Sequence, residues 1–409
     1  MQYFRNVDLT KLYPISEAGV RKWIEAAQRG RLDLKLCREN NKTYVANTPD
    51  NLLIIERLIG QRKKYINARA LKAVTPSPEF YKLFTAYQIM DIASNISIHG
   101  EIPHGYSYVG GGAADWDRYT TKLLSSKSPN LLTSTIDLLE QNQRTIDQLI
   151  EPHKKVNVID LGTGNCLPAR QLLSRLKSKG QLHRYIGIDI SQDMLDIAKR
   201  NIDEWFGGQI KFEGHVRNIS HDRFNDLLTE DYFDGDDTPI NLILLFGGTL
   251  SNLRSPDQTL QVIQQSMSPG DLLIYDMKLD CGKARLYFDF VEEQSTHVLS
   301  KQEKLIPDLL GIDDSLYEVE QFYDKDKCAR FIRLRLKVML SISFKFGTHK
   351  KVIDLDKGDT ILLWRSWHQS AFDIVAQFER SGFELRSASI SKDREYILTI
   401  SEIKSTQQI

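Results

Sequence analysis

The chain has 409 residues, of which 41% are hydrophobic, so it is long enough for two or three domains with apolar cores. Its 54 Lys and Arg residues balance 54 Asp and Glu residues, which argues against a surface coated with nucleic-acid-binding charge. No apolar stretch of about 18 residues predicts a membrane span, and no charged and then apolar leader begins the chain, so we expect a cytoplasmic protein. Four widely spaced cysteines without a C-x-x-C pair indicate reduced thiols, with no disulfide framework and no metal site: Cys37, Cys166, Cys281 and Cys328.

Residues 1–75 form a small basic module with fifteen Lys and Arg against seven Asp and Glu. A helix is predicted to begin at Ser16 and to end at Gly30, two short strands follow it, and a second helix begins at Thr48. This order resembles the winged-helix heads of the MerR and excisionase group. The resemblance implies a DNA-binding head whose basic face contacts phosphates through four residues: Arg21, Lys22, Arg29 and Arg31. A protein-interaction or dimerisation module, or a grip on a carrier-bound substrate, is an equally good explanation, and the oligomeric state is left open.

Residues 76–150 follow a proline-containing linker and are predicted to be mostly helical, forming a lid over a cofactor and part of a substrate region. Within them, Gly105–Trp116 is too rich in glycine for a helix and is predicted to be a loop. The loop carries Tyr108, and His104 lies immediately before it. A histidine in such a loop is more often an ordinary polar residue than a catalytic base.

Residues 151–280 alternate predicted strands and helices at the spacing of a doubly wound parallel sheet. One apolar run ends in Asp160, Gly162 and Gly164, and the next ends in Asp189. Because parallel strands end at the same edge of the sheet, these residues meet where a nucleotide-type cofactor binds. Glycines let the backbone approach the ligand, and the second carboxylate can accept both ribose hydroxyls. The alternative is a tight turn with a purely structural role.

The turn after the first of these strands resembles motif I of the class I S-adenosylmethionine-dependent methyltransferases, D-x-G-x-G-x-G, with Cys166 at the third glycine. The resemblance implies that S-adenosyl-L-methionine is the cofactor. It implies binding by residues at the ends of three strands: Asp160, Gly162, Gly164, Asp189, Ile190, His215 and Val216. At the third strand end, His215 stands where the family usually has an acid, so Val216 is left to pack against the adenine ring.

Residues 281–368 leave the alternating pattern and are predicted to form antiparallel strands that face a core on one side. Residues 369–409 supply a helix from Ser370 to Ser381 and two strands joined by a polar hairpin. Such a helix and hairpin close the class I methyltransferase sheet, so 281–368 is interpreted as an insertion that shapes the substrate pocket. The predicted fold class is α/β: a doubly wound Rossmann-like methyltransferase sheet with an α+β substrate-domain insertion and a small N-terminal winged-helix-like domain.

The segment Phe246–Asn252 follows the fourth predicted strand. It lacks the N/D-P-P-Y/F sequence with which nucleic-acid N-methyltransferases grip a flipped base. It resembles the F-x-G-S/G-T-I-G-N element of the histidine Nα-methyltransferase family of the ergothioneine pathway. The resemblance implies that Gly248 contacts the cofactor and that Asn252 binds the head group of an amino-acid substrate.

Two further elements are similar to that family, and the resemblance spans residues 79–405. The glycine-rich loop matches a loop that closes over the cofactor, which implies that Tyr108 contacts the cofactor near the methyl-transfer site. The strand Gly358–Ser366 matches one that carries an E-x-S substrate clamp, which implies that Ser366 binds the substrate.

The departures from the family concern the substrate. Trp364 stands where the family has the glutamate of the clamp, and Leu131 and Leu132 follow Pro129 where the family has a tyrosine. We therefore expect Trp364 to contact a larger or more apolar amine than free histidine. Ordinary core packing is an equally good explanation of these side chains.

Methyl transfer is an in-line displacement that needs alignment and a dry pocket more than it needs acid–base groups. Tyr108 and Asn252 are the candidates for orienting the nucleophile. No strong general base is visible, because His368, like His104, is more often an ordinary polar residue than a catalytic base. The chain is interpreted as an N-methyltransferase acting on the amine of an amino acid, an amino-acid derivative or a peptide-like small molecule. The alternative is a regulator whose head binds DNA while the methyltransferase-like body senses a cofactor or a metabolite.

Overall fold

The computed structural model describes most of the chain, namely residues 3–13, 15–39, 42–67, 71–150, 154–228, 238–280 and 298–404. Contacts between residues divide the chain into two units, Met1–Lys72 and Ala73–Ile409. No helix in these described ranges is long and apolar enough to cross a membrane. Cys281, and with it the start of the predicted insertion up to residue 297, lies outside the described residues.

The N-terminal unit combines three helices with a small antiparallel sheet. Its elements are β1 (Tyr3–Phe4), α1 (Asn6–Leu12), α2 (Glu17–Gln28), β2 (Leu36–Glu39), β3 (Lys42–Ala46) and α3 (Pro49–Asn67), with strand order β1-β3-β2. The predicted helix start is confirmed, because the Ser16 hydroxyl accepts the Gly19 amide and caps α2. Strand β2 begins at Leu36, four residues later than the alternation from Leu32 predicts. The helix, hairpin, helix order agrees with the sequence, while the kinship with winged-helix heads stays a prediction.

A helical region begins the second unit. It contains α4 (Pro78–Leu83), α5 (Ala86–His99), a 3-10 helix (His104–Tyr108), α6 (Gly112–Leu123), α7 (Leu131–Gln141) and α8 (Gln143–Leu149). The predicted loop Gly105–Trp116 is partly wrong, because α6 begins inside it. Gly110 and Gly111 have φ of +64° and +102° and turn the chain, after which the alanines that follow Gly112 favour a helix.

The central sheet has seven strands in the order β15-β16-β9-β8-β5-β6-β7. Five strands are parallel: β5 (Val156–Leu161), β6 (Leu182–Asp189), β7 (Phe212–Val216), β8 (Ile240–Leu245) and β9 (Leu272–Lys278). The connecting helices are α9 (Arg170–Ser178), α10 (Gln192–Phe206) and α11 (Pro256–Gln264). Every residue of β5 is buried, as expected for a parallel strand covered on both faces. The predicted parallel sheet is confirmed.

The C-terminal elements close this sheet as the sequence predicts. Helix α13 (Ala371–Arg380) leads into β15 (Phe383–Ile390) and β16 (Tyr396–Ile403), and β16 pairs antiparallel with β9. The last two strands thus complete the sheet next to its parallel part.

Strands between residues 317 and 367, together with the distant strand β4, form two further three-stranded sheets, β10-β11-β14 and β13-β12-β4. Their elements are β4 (Leu71–Val74), α12 (Lys301–Leu309), a 3-10 helix (Asp314–Leu316), β10 (Tyr317–Asp324), β11 (Ala329–Leu336), β12 (Met339–Phe346), β13 (His349–Leu355) and β14 (Thr360–Trp367). The predicted antiparallel strands are therefore present. Phe80 and Ile92 from the helical region share one apolar core with Leu334 and Phe344 from these sheets, which holds the helical region against the two sheets.

Candidate active site

A cavity of about 320 Å³ lies at the carboxyl ends of the parallel strands. One part of its lining comes from the turns that follow β5, β6 and β8, and another comes from α5, the 3-10 helix His104–Tyr108 and α6. In open α/β sheets, ligands bind in this position because the loops there leave a crevice between adjacent strand ends. The helical region thus covers the sheet edge at which the sequence predicts a cofactor.

The turn after β5 brings a buried acid and two glycines to the cavity. Gly162 and Gly164 have φ of +68° and +53°, and a Cβ on Gly162 would lie 2.8 Å from the Thr249 hydroxyl oxygen. Asp160 accepts hydrogen bonds from the Tyr185 hydroxyl at 2.8 Å and the Thr163 hydroxyl at 3.2 Å. Burial raises the pKa of this carboxyl to about 7. Asp160 therefore organises the turn from within, and the glycines leave the space that a side chain would fill.

The third position of the glycine motif is held by Cys166. It adopts φ of +62°, a conformation that favours glycine, and it is fully buried. Burial raises the pKa of its thiol to about 12, so the thiol stays protonated and unreactive at neutral pH. The cysteine preserves the shape of the turn at some cost in backbone strain.

Asp189 ends β6 and lines the same cavity. One of its carboxylate oxygens accepts the Ser191 amide at 3.0 Å. Burial raises the pKa of the Asp189 carboxyl to about 6, while backbone amides oppose that shift. The carboxylate is thus ionised at neutral pH and fixed in orientation, and its remaining lone pairs can accept hydroxyl groups.

The 3-10 helix carries a tyrosine and a histidine that contact each other. Tyr108 Oη lies 3.1 Å from His104 Nε2, and the Tyr108 ring packs edge-on against Trp116 with 5.7 Å between centroids. Burial lowers the pKa of His104 to about 4, and burial together with the Asp189 charge raises the pKa of Tyr108 well above its usual range. Both side chains are therefore neutral at physiological pH.

The segment that carries Tyr108 is docked on the helix that follows Asp189. The Tyr108 carbonyl accepts the Ser191 hydroxyl at 3.1 Å, and the Gly110 amide donates to Asp193 at 2.9 Å. A Cβ on Gly105 would lie 2.8 Å from Ile190, so the absence of a side chain lets the segment pack closely there. These contacts hold the neutral Tyr108–His104 pair over the β6 strand end.

A family model described as "Histidine-specific methyltransferase, SAM-dependent" matches residues 131–402, which is more than half of the chain. The chain belongs to this family. It is accordingly a methyltransferase, and S-adenosylmethionine is its cofactor. No curated protein matches its sequence.

Solved methyltransferase structures align with the chain at low identity. An S-adenosylmethionine-dependent methyltransferase from Clostridium acetobutylicum is 12% identical, with a TM-score of 0.39, and the alignment covers 71% of this chain and 98% of that one. The glycopeptide N-methyltransferase MtfA is 10% identical, with a TM-score of 0.32, over 66% of this chain and 94% of that one. Magnesium protoporphyrin IX methyltransferase from Synechocystis is 10% identical, with a TM-score of 0.37, over 77% of this chain and all of that one, at 100%. At such low identities and TM-scores these structures carry no argument, so the assignment to the methyltransferase family rests on the family model alone.

The residues present in the methyltransferase fit its cofactor. Gly162 and Gly164 offer a backbone without side chains in the turn, and Asp189 offers an ionised, oriented carboxylate for the ribose hydroxyls. Ile190 adds an apolar contact at the same strand end, since it lines the cavity. These residues are the ones that would hold S-adenosylmethionine.

Three other residues predicted to contact the cofactor lie outside the cavity lining. His215 and Val216 pair with Ile188 and Asp189 in the sheet, but the lining begins one residue later with the segment 217–221. Gly248, with φ of +75°, lies between Gly247 and Thr249, which do line the cavity. The lining thus lies one residue away from the predicted positions, and the cofactor contacts of His215, Val216 and Gly248 stay predictions.

The predicted substrate clamp at Trp364 and Ser366 is not part of the lining either. Side chains alternate along β14, and Arg365, between these two, is buried and forms an ion pair with Glu101, which lines the cavity. Trp364 instead packs under the Arg330 guanidinium at 5.5 Å. Trp364 and Ser366 therefore do not line the cavity, and their role in a substrate clamp stays a prediction.

The polar residues of the lining that were not predicted from the sequence include Asp91, Asn95, Glu101 and Arg254. Together with the predicted Asn252, which also lines the cavity, they are called the acceptor cluster below. A signal for two of them exists in the sequence, because Asp91 and Asn95 are one helical turn apart among the apolar residues of α5. Glu101 and Arg254 have no such signal, since only tertiary contacts bring them to the cavity.

Proposed function

We propose that this methyltransferase acts on the amine of an amino acid, an amino-acid derivative or a peptide-like small molecule, and that free histidine is not its acceptor. The observation that supports an amine is the carboxylate of Asp91 in the lining of the cavity that also contains the cofactor residues, since the other carboxylate there, Glu101, is paired with Arg365. Carboxylates attract a protonated amine and stabilise it when it is partly desolvated. Asn252, which also lines the cavity, has an amide that can bind the head group.

S-adenosylmethionine, when bound, supplies an electrophilic methyl group on a sulfonium with a good leaving group. The amine must lose its proton before it attacks, and that proton passes to water. With the cofactor held by Gly162, Gly164 and Asp189, the sulfonium would supply the methyl carbon to that nitrogen and would keep the electron pair of the carbon–sulfur bond. The role left to the protein is to align the nitrogen and exclude water from the reacting atoms.

Tyr108 and His104 are suited to orient the nitrogen without changing charge. With its proton on Nδ1, the neutral His104 ring accepts the Tyr108 hydroxyl at Nε2, which leaves the tyrosine oxygen able to accept an N–H from the amine. Both residues keep their neutral form at physiological pH, because burial lowers the pKa of His104 to about 4 and raises that of Tyr108 above its usual range. Neither has to act as a base, since the proton of the amine passes to water. The pair therefore aligns the nucleophile as a neutral hydrogen-bonding unit.

The lining argues for an acceptor other than free histidine. Leu131 and Leu132 both line the cavity where the family is expected to present a tyrosine, so this wall is apolar. The strand with the family's clamp presents Arg365, and its guanidinium neutralises Glu101. An imidazole clamp is consequently absent at the matching positions, and the apolar wall favours a more apolar side chain.

The test is methyl transfer from radiolabelled S-adenosylmethionine to the common free L-amino acids, their amides and short peptides, each presented singly. We expect label on the nitrogen of at least one acceptor, with kcat/KM about tenfold or more above that of histidine, a difference of about 1.4 kcal/mol in transition-state binding. The Asn252→Ala variant serves as the matched low-turnover control. If histidine is the best acceptor, or if no amine is labelled, the proposal is wrong.

A further inference from the structure

One face of strand β14 holds two segments of the cavity lining. Arg365 and Trp367 lie two positions apart, so their side chains project from the same face of the strand. Neither residue belongs to the lining itself. Each contacts a residue of a segment that does, and the two segments carry Tyr108 and Asn252, the residues proposed to orient the nucleophile.

The first link leads to the segment that carries Tyr108. The Arg365 guanidinium is paired with the Glu101 carboxylate, and only 7% and 10% of these side chains are exposed. Such a pair holds firmly, because a buried charge without its partner is strongly destabilising. Glu101 lies three residues before the 3-10 helix His104–Tyr108, and Pro103 between them restricts the backbone. The position of this helix is therefore set from β14.

Backbone hydrogen bonds reinforce the first link. The Ile102 amide donates to the Leu362 carbonyl at 2.9 Å, and the Leu362 amide donates to the Gly100 carbonyl at 2.7 Å. At its other end the segment is held by the central sheet's helix α10, where the Ser191 hydroxyl donates to the Tyr108 carbonyl at 3.1 Å. The segment is thus fixed at both ends, once by β14 and once by α10.

The second link leads to the segment that carries Asn252. The Trp367 indole N–H donates to the carbonyl of Leu253, the residue that follows Asn252, at 2.7 Å. The indole is itself held in place, because Phe331 packs edge-on against it with 6.2 Å between centroids. An indole carries a single donor of fixed direction, so a fixed ring also fixes the carbonyl that it binds. The position of Asn252 is therefore set from the same strand.

We infer that Arg365 and Trp367 are positioning residues for methyl transfer, which act from one face of β14 and set the separation of Tyr108 and Asn252 at the acceptor nitrogen. This inference rests on the proposed function, in which those two residues orient the nucleophile. Methyl transfer depends steeply on alignment, since a displacement of about 1 Å can lower a rate about 100-fold. A strand is suited to the task, because regular secondary structure holds a site more precisely than loops do.

The inference is tested by two substitutions that each remove one link and keep most of the side chain. Arg365→Lys keeps the charge and loses the planar guanidinium, and Trp367→Phe keeps an aromatic ring and loses the indole N–H. The assay is methyl transfer to the best of the free L-amino acids, amides and short peptides named above, here called the acceptor set. We expect each variant to lower kcat about tenfold or more, while KM changes by less than about threefold.

Arg333→Lys and Trp205→Phe are the matched controls. Arg333 pairs with Glu320 on β10, and Trp205 lies under the Arg170 guanidinium at 4.8 Å, so both partners are outside the lining. Both control variants should leave kcat unchanged. Calorimetric binding of S-adenosylhomocysteine, with a Kd within about twofold of the wild type, shows that each variant has folded.

Double variants distinguish positioning from general support of the fold. In a Tyr108→Phe background, Arg365→Lys should lower kcat less than about twofold, because the group that it positions no longer acts, while Trp367→Phe keeps its tenfold effect. In an Asn252→Ala background the two effects should be exchanged. A residue that only supports the fold would lower kcat by the same factor in every background.

The outcomes separate the inference from the proposed function. An unchanged kcat in both single variants, or equal factors in every background, contradicts the inference while the proposed amine methylation stands. If the wild type methylates no amine of the acceptor set, the proposed function is contradicted, and the inference falls with it.

Discussion

Replacement of Asp189 by alanine should weaken cofactor binding by several orders of magnitude. In the family to which the chain belongs, this carboxylate is expected to accept both ribose hydroxyls, and hydrogen bonds to a charged acceptor are worth about 1.5–3 kcal/mol each. The loss of two such bonds, about 3–6 kcal/mol, corresponds to an increase in Kd of about 10²- to 10⁴-fold. The desolvation cost of the carboxylate is already present in the folded enzyme, where burial raises its pKa to about 6, so binding gains the full value of the two bonds.

The assay is titration calorimetry with S-adenosylmethionine, using Asp196→Ala as the control. Asp196 is an exposed acid in α10, the helix that follows Asp189. Among the residues that the structure describes it bonds to Gln192 alone, so its loss should leave the Kd unchanged. The wild-type affinity should also fall as the pH drops below about 6, by up to about tenfold per pH unit, because the protonated Asp189 carboxyl loses its charge. Asp189→Asn should lack this pH dependence. An unchanged Kd in Asp189→Ala, with the fold intact by circular dichroism, would refute the assignment of the ribose site.

Three further predictions concern the acceptor cluster, the sheet and the head. Asn252→Ala should keep cofactor affinity within about twofold and lower kcat/KM about tenfold or more, and a loss of cofactor affinity in calorimetry would contradict its place at the acceptor. Burial raises the pKa of Asp276 to about 7. Between about pH 4 and pH 7 the unfolded chain releases a proton that the folded carboxyl keeps, so the free energy of unfolding of the wild type should fall as the pH rises through this range. Asp276→Asn should remove up to about 1.4 kcal/mol per pH unit of that slope in urea unfolding, and equal slopes in both proteins would argue against it. The DNA-binding hypothesis for the head predicts a mobility shift at low salt that the double variant Arg21→Gln, Lys22→Gln abolishes, and no shift even at low ionic strength would leave a protein contact as the explanation.

The cofactor half of the site could be predicted because its residues follow strands with a strong local signal. The apolar runs that end in Asp160 and Asp189 specify buried parallel strands, and parallel strands deliver their carboxyl ends to one edge of the sheet. The glycines of the first turn are found with positive φ, as their spacing suggests. Local sequence and global topology therefore agree in this part of the chain.

The acceptor half could not be predicted in the same way, because it depends on distant segments. Glu101 is paired with Arg365, 264 positions away, and Arg254 bonds to Asn95, 159 positions away. The alternation of side chains along a strand makes the acceptor half harder to predict in a second way. A shift of one residue along β14 exchanges its two faces, so an alignment that matched Trp364 to the substrate clamp left Arg365 unnoticed.

Asp276 illustrates a third kind of residue that sequence reasoning overlooks. It is buried at the end of β9, where the Gly247 amide donates to it at 3.1 Å and the Thr135 hydroxyl donates to its other oxygen. It thereby links α7 to the turn that follows β8. Its position in an apolar strand gives no indication of these partners, because both come from other elements of the fold.

The most direct test of the account is mass spectrometry of the product formed from S-adenosylmethionine and the best free amino acid of the acceptor set. Amine methylation predicts the mass increase of a methyl group, located by fragmentation on an amine nitrogen, with the carboxylate of the acceptor unmodified. Methylation at an oxygen, a sulfur or a ring carbon, or methylation of free histidine in preference to every other amino acid, would contradict it.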